Sequence, residues 1–230
     1  MLTIRRSSER GHFDHGWLDT FHTFSFGDYH DPQWMSFGPL RVINEDVVAP
    51  GAGFPKHPHR DMEIVTYILS GAIDHEDSSG GKGTIRPGEV QAMSAGRGIL
   101  HSEYNPSKTE PVHLLQIWIK PRENGLAPRY DQRAIRVGEG SLKLIASADG
   151  RDGAIPIHQD AEILAGKLKP GARAEHELKP QRRAWVQMAR GSAKVNGSEL
   201  NPGDGVGITG EPRVTIEPIS DAEVLLFDLP

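Results

Sequence analysis

Short runs of alternating or β-branched residues, each closed by a glycine or proline turn, recur along this 230-residue chain, and they limit its fold more than any other feature. Arg41–Val48 stops at Ala49-Pro50-Gly51, Glu63–Leu69 at Ser70-Gly71, and His113–Ile119 at Lys120-Pro121. Between them Gly83-Thr84-Ile85 meets Arg86-Pro87-Gly88, and Glu89–Met93 begins the next run. Strands at this spacing with turns between them predict an all-β sandwich or barrel. The 26 glycines and 17 prolines are in excess of ordinary usage and argue against a helix bundle. Sustained 3.6-residue periodicity is nearly absent.

Pro121, Asn124-Gly125 and Pro128 break the pattern, after which the same cadence resumes. The two halves correspond: Arg86-Pro87-Gly88-Glu89-Val90 matches Asn201-Pro202-Gly203-Asp204-Gly205, and Tyr67–Gly71 matches Val186–Gly191. Two copies of one β unit are therefore expected, over residues 1–128 and 129–230.

The formal net charge of −5 makes direct nucleic-acid binding a poor fit, because phosphate recognition needs a concentrated basic surface. With no cysteine, the chain has no disulfide, thiolate zinc site, Fe–S cluster or cysteine nucleophile. No apolar segment follows Met1-Leu2-Thr3-Ile4-Arg5-Arg6 and no run approaches 18 apolar residues. No signal peptide or membrane span is expected, and a cytoplasmic location is. Gly205-Val206-Gly207-Ile208-Thr209-Gly210 spells a dinucleotide fingerprint, but Glu211-Pro212 stands where its helix should start. The pairs His75-Glu76 and His176-Glu177 lack the second histidine of a zincin.

Eleven histidines are the anomaly of the composition. In an extended chain the imidazoles of His57-Pro58-His59 lie on one face, roughly 7 Å apart at Cα, and both Nε2 atoms can reach one ion about 2.1 Å away. The flanking prolines favour that extended backbone. His101-Ser102-Glu103 places an imidazole and a carboxylate in the same relation. A sheet that joins the two segments would present three nitrogens and one oxygen, a set suited to Fe, Mn, Co, Ni, Cu or Zn. Glu63, four residues past His59, is also face-compatible; the i+2 relation to His101 favours Glu103. Asp74-His75 reads either as a base–orienter pair or as a polar strand end. Phe21, Phe24, Phe26, Tyr29, Trp34 and Phe37 either pack the N-terminal segment or line the mouth of a metal pocket, with His22 and His30 as candidate supporting donors.

Gly51, His57-Pro58-His59, Glu63 and Gly71 resemble the first cupin motif, and Gly88, Gly96, His101 and Asn105 the second. The second motif departs from the general pattern: Ser94 stands where cupins usually have proline, and four residues separate Gly96 from His101. His57–Glu63, Asp77-Ser78-Ser79-Gly80, Arg86–Gln91 and Ala95–Glu103 closely resemble the pirin family, as do Asp19–Phe26 and Phe37–Val42. The resemblance is dense over residues 10–120, and the second half resembles a degenerate cupin with no H-x-H, only the lone His176.

The resemblance implies two tandem jelly-roll cupin barrels, a metal-binding one (1–128) and a degenerate one (129–230). It implies the metal set His57, His59, His101 and Glu103 in the N-terminal barrel only, whereas general cupins would use Glu63. It also implies quercetin 2,3-dioxygenase activity, in which a flavonol-like aromatic substrate is opened by O2 with loss of CO, with Glu103 as a catalytic base. Iron(II) is the ion favoured by it. A different role is also associated with pirins, that of a metal- and redox-sensing protein that regulates a protein partner without catalysis. A monomer is expected.

Overall fold

The computed structural model describes residues 1–230 and contains 22 strands, two 3-10 turns at Ser7–Glu9 and Arg151–Gly153, and no α-helix. Its contacts divide the chain into two compact units: Gly11–Ile135 with Ile155–Gln159, here the N-terminal unit, and Met1–Arg10 with Arg136–Ala154 and Asp160–Pro230, the C-terminal unit. Strand β1 (Leu2–Arg5) is part of the C-terminal unit, where it pairs with Gly205–Thr209.

The N-terminal unit holds β2 (Gly11–Asp14), β3 (Leu18–His22), β4 (Leu40–Val48), β5 (Gly53–His59), β6 (Glu63–Ser70), β7 (Ile73–Asp77), β8 (Lys82–Ile85), β9 (Glu89–Ser94), β10 (Ile99–Tyr104), β11 (Val112–Ile119) and β12 (Arg129–Ala134). They form two antiparallel sheets, ordered β12-β9-β6-β11-β4-β3-β2 and β5-β10-β7-β8. Although it follows residue 128, β12 pairs along its whole length with β9 and so belongs here. Val48, Ile68, Ile73, Ile85, Val112 and Leu114 pack together in the core. A row of register partners crosses the larger sheet, His22, Asn44, Gln116, Thr66 and Gln91, all buried although all are polar. A row of that kind is expensive unless its members are hydrogen-bonded.

The C-terminal unit repeats the plan. Its strands are β13 (Leu142–Ser147), β15 (Glu162–Leu168), β16 (Ala174–Glu177), β17 (Arg183–Arg190), β18 (Ala193–Val195), β19 (Ser198–Leu200), β20 (Gly205–Thr209), β21 (Arg213–Pro218) and β22 (Ala222–Leu229), while the intervening β14 (Ile155–Pro156) is part of the N-terminal unit. The sheet orders β1-β20-β17-β22-β15-β13 and β16-β21-β18-β19 mirror those of the first unit. Its interior is apolar: Val186, Met188, Val206, Val214, Ile216 and Leu226 are all fully buried. The chain is thus all-β with two copies of one β plan, as the strand cadence and internal correspondence predicted.

The matched turns have a common physical cause. Gly71 and Gly191 both adopt positive φ, 78° and 65°. A Cβ at Gly71 would lie 2.7 Å from the Pro111 carbonyl oxygen, and one at Gly191 would lie 1.9 Å from that of Asp221. Gly191→Ala is therefore expected to cost about 3 kcal/mol, the left-handed penalty plus displacement of a packed backbone. Gly51→Ala, at φ 70° but with nothing within 4 Å, should cost only about 1 kcal/mol. Thermal midpoints of the two variants test this, and equal losses would contradict it.

Candidate metal centre

Strands β5, β7 and β10 lie side by side, and alternation turns their functional residues to one face. On β10, His101 and Glu103 are buried while Leu100 and Tyr104 are exposed; on β7, His75 and Asp77 are buried while Glu76 is exposed. On β5, His57 and His59 are half-buried and the intervening Pro58 is exposed. His101 pairs directly with His57, but Glu103 pairs with Phe54, because β5 carries an extra residue between these partners. That bulge brings the Pro55 carbonyl oxygen 2.7 Å from His57 Nδ1.

The structure brings together the ring nitrogens of His57, His59 and His101, all within 4.8 Å of one another. His101 Nε2 lies 2.9 Å from His57 Nε2. Two imidazole nitrogens at that distance need a proton or a cation between them. Burial and the surrounding histidines hold His101 down at about 2, and burial with the neighbouring His57 holds His59 at about 4, so both rings are neutral and each keeps one nitrogen lone pair. A neutral, thiolate-free nitrogen set with lone pairs turned inward fits a divalent transition ion. The Pro55 carbonyl accepts the Nδ1–H of His57 and so fixes the tautomer that leaves Nε2 free.

Glu103 is buried beside this group, with its carboxylate within 4.8 Å of ring nitrogens of His101 and His75. Both of its oxygens accept from Gln116 Nε2 at 3.1 Å. The Thr66 hydroxyl, donating to Gln116 Oε1 at 3.0 Å, sets that amide's orientation. Burial raises the Glu103 carboxyl to about 7, with the charge of Asp46 adding to the rise and the Gln116 bond opposing it. Glu63 sits elsewhere: its Oε2 accepts from the Ser94 hydroxyl at 2.8 Å and the His158 amide at 3.1 Å, and it joins neither histidine group.

A cavity of about 470 Å³ opens over the site, lined by His57, His59, Glu103 and Gln116 and walled by Phe13, Phe26, Phe54 and Trp118. Trp118 meets the His59 ring edge-on at 4.8 Å. Thr20, His22, Asn44 and Asp46 complete its polar side. Asn44 Oδ1 and Trp118 Nε1 are buried without a hydrogen-bond partner, an acceptor and a donor on residues that line the space. Asp46, not singled out by the sequence, is buried, accepts from the Thr20 hydroxyl at 2.5 Å, and is pushed up to about 7 chiefly by burial.

Of the six aromatics singled out in the sequence, only Phe26 lines this cavity; Phe24 is fully buried in the core and Phe21 stacks on His12. His22 lines it and His30 does not. Phe13, Phe54 and Trp118 were missed because they lie on three separate strands. The partner of His75 is Asp77, at 3.0 Å, and not its neighbour Asp74, which accepts from Thr84.

In the C-terminal unit His176 meets Asp228 at 2.7 Å, near Glu162. Arg182 also pairs with Asp228, and Arg151 pairs with Glu162 at 2.7 Å, so guanidinium groups already balance both carboxylates. In register with His176 stands Val214, followed on the same face by Ile216, where β10 carries His101 and Glu103.

Three converging histidines and a buried glutamate under an aromatic-walled cavity give this β-barrel the donor set of the cupin class. Residues 3–119 match the family model Pirin, and residues 144–229 match the quercetinase C-terminal cupin domain. The chain belongs to the pirin family. It is 50% identical over 230 residues to the quercetin 2,3-dioxygenase of Escherichia coli K12, spanning all of this chain and 99% of that one. It is 45% identical over 231 residues to a pirin-like protein of Caulobacter vibrioides, spanning 99% of each. The crystal structure of the bacterial pirin YhhW from Escherichia coli in complex with nickel(II) superposes with a TM-score of 0.95 at 50% identity, covering 100% of this chain and 99% of that one.

Proposed function

We propose that the N-terminal unit is a metal-dependent dioxygenase of the quercetin 2,3-dioxygenase type, opening the flavonol heterocycle with O2 and releasing CO. The observation that carries this reading is the convergence of His57, His59 and His101 at the base of an aromatic-walled cavity, with buried Glu103 alongside. The proposed ligands are His57, His59, His101 and Glu103, with iron(II) the favoured ion and Zn, Mn, Co, Ni and Cu compatible with the same donors. Four protein ligands leave one or two positions open, the arrangement of a catalytic and not a closed structural site. Held by these residues, the ion would supply a Lewis acid for the flavonol oxygen.

The protein's own groups do the rest. Phe13, Phe26, Phe54 and Trp118 offer faces and edges to a flat aromatic substrate and keep water off the reacting ring. Asn44 Oδ1 and Trp118 Nε1 suit a polyhydroxylated ligand, one accepting and one donating. Glu103, held by Gln116, takes the proton of the flavonol 3-hydroxyl as general base. Asp46, hydrogen-bonded to Thr20, is a second buried carboxyl on the same cavity and receives that proton or holds it away from the ring. Asp46→Asn should keep the metal and lower kcat about tenfold or more. An unchanged kcat would remove Asp46 from proton handling.

Anaerobic titration with quercetin tests the binding half of this reading. A flavonol that gives up its 3-hydroxyl proton absorbs at longer wavelength. That shift should appear with metal-loaded protein and be absent for His101→Ala incubated with the same metal. An unshifted spectrum at saturating quercetin would contradict substrate activation at this site.

A further inference from the structure

The segment Asp77-Ser78-Ser79-Gly80, prominent in the sequence, lines no part of the cavity, yet it is built around the reverse side of His101. Asp77 Oδ1 accepts three hydrogen bonds, from the Ser79 amide at 2.7 Å, the Ser79 hydroxyl at 2.6 Å and the Gly81 amide at 3.1 Å. Its Oδ2 lies 3.0 Å from His75 Nε2. His75 Nδ1 in turn lies 3.4 Å from His101 Nδ1. Although burial favours the neutral acid, the bonds from Ser79, His75 and Gly81 together hold the Asp77 carboxyl below its ordinary range. The ring of Tyr130 stacks on His75 at 4.8 Å and 29°. Gly81 is required for this packing, since a Cβ there would come 2.2 Å from Asp77 Oδ2 and 2.6 Å from Tyr130 Cβ.

The donors and acceptors of this chain can be assigned in only one order. A carboxylate accepts and cannot donate, so His75 carries its proton on Nε2, towards Asp77. Its Nδ1 is then a lone pair, and His101 donates to it from Nδ1–H. His101 Nε2 is left as a lone pair facing His57 and His59. On the metal reading proposed above, we infer that His75 and Asp77 are positioning residues that fix the tautomer of His101, so that its Nε2 always presents a lone pair to the ion. Neither touches the substrate cavity, and neither is proposed as a ligand.

Asp77→Asn tests the order of the chain almost without change of shape. The three donors at Oδ1 keep the amide oxygen of the new side chain, which turns its NH2 group towards His75. His75 must then accept at Nε2 and carry its proton on Nδ1, where it opposes the Nδ1–H of His101. His75→Gln keeps an acceptor that can reach His101, and His75→Leu keeps none.

The measurement uses the full-length chain, first metal-free and 15N-labelled in histidine, then titrated with Ni(II) against a competing chelator. Ring nitrogen shifts should show wild-type His101 protonated at Nδ1 and His75 at Nε2, with both reversed in Asp77→Asn. Ni(II) affinity should fall about 10–100-fold in Asp77→Asn and His75→Leu, and stay within about threefold of wild type in His75→Gln. His101 protonated at Nε2 in the wild type would overturn the inference. So would equal Ni(II) affinity in His75→Leu and wild type, or equal losses in His75→Gln and His75→Leu. Wild-type Ni(II) affinity in His101→Ala would instead overturn the metal reading itself, a result separable from the tautomers, which are read without metal.

Discussion

In His101→Ala, bound metal is expected to drop from one ion per chain to less than about a tenth, and quercetin turnover to vanish with it. His101 is the residue on which the site converges: its Nε2 faces His57 at 2.9 Å, and its ring contacts those of His57, His59 and His75. Its removal takes one donor from the set and opens a hole in a wall where His101 is only 1% exposed. Loss of stability is a separate matter, and metal content per folded chain, measured on protein with an unchanged far-ultraviolet spectrum, tells the two apart. The matching control is His176→Ala. Its imidazole lies against Asp228 in a unit where arginines already balance the carboxylates, so metal content should be unaltered. Equal metal in His101→Ala and wild type would remove the ligand assignment.

Glu103→Gln is the second large effect. The amide has the shape of the carboxyl and its oxygen can still accept from Gln116, so the barrel should fold. It carries no charge and cannot take a proton. Turnover should fall by about 10²–10⁴, the usual share of a general base, with a smaller loss of metal affinity because the three histidines remain. Glu63→Gln should leave turnover within about threefold of wild type, because Glu63 is engaged by Ser94 and His158 away from the cavity. A variant pair with these effects exchanged would assign the fourth position to Glu63.

Much of this was legible in the sequence because β-structure writes its faces with period two. The i and i+2 relation of His57 with His59 and of His101 with Glu103 places each pair on one face, and β5 and β10 are indeed register partners. The repeated Gly71 and Gly191 turns exposed the duplication, since only glycine tolerates both the positive φ and the close carbonyl. What stayed hidden depends on pairing across distant strands. Asn44, Gln116 and Thr66 become one row only when β4, β11 and β6 are aligned, and no local pattern specifies that register. Strand β12, Arg129–Ala134, carries almost no apolar periodicity and is held by its pairing with β9. Asp77 and His75 meet within β7 at i and i+2, but their link to His101 appears only when β7 lies against β10.

On the proposed reading, one metal ion held by the N-terminal histidines and Glu103 makes this chain a flavonol dioxygenase. Metal-loaded protein incubated in air with quercetin, with absorbance and carbon monoxide followed together and His59→Ala treated identically, tests it most directly. The expected result is loss of the flavonol band with one CO released per quercetin consumed, and neither in the variant. Metal bound at full occupancy with no CO produced would contradict it, and would favour a pirin that signals its metal state to a protein partner.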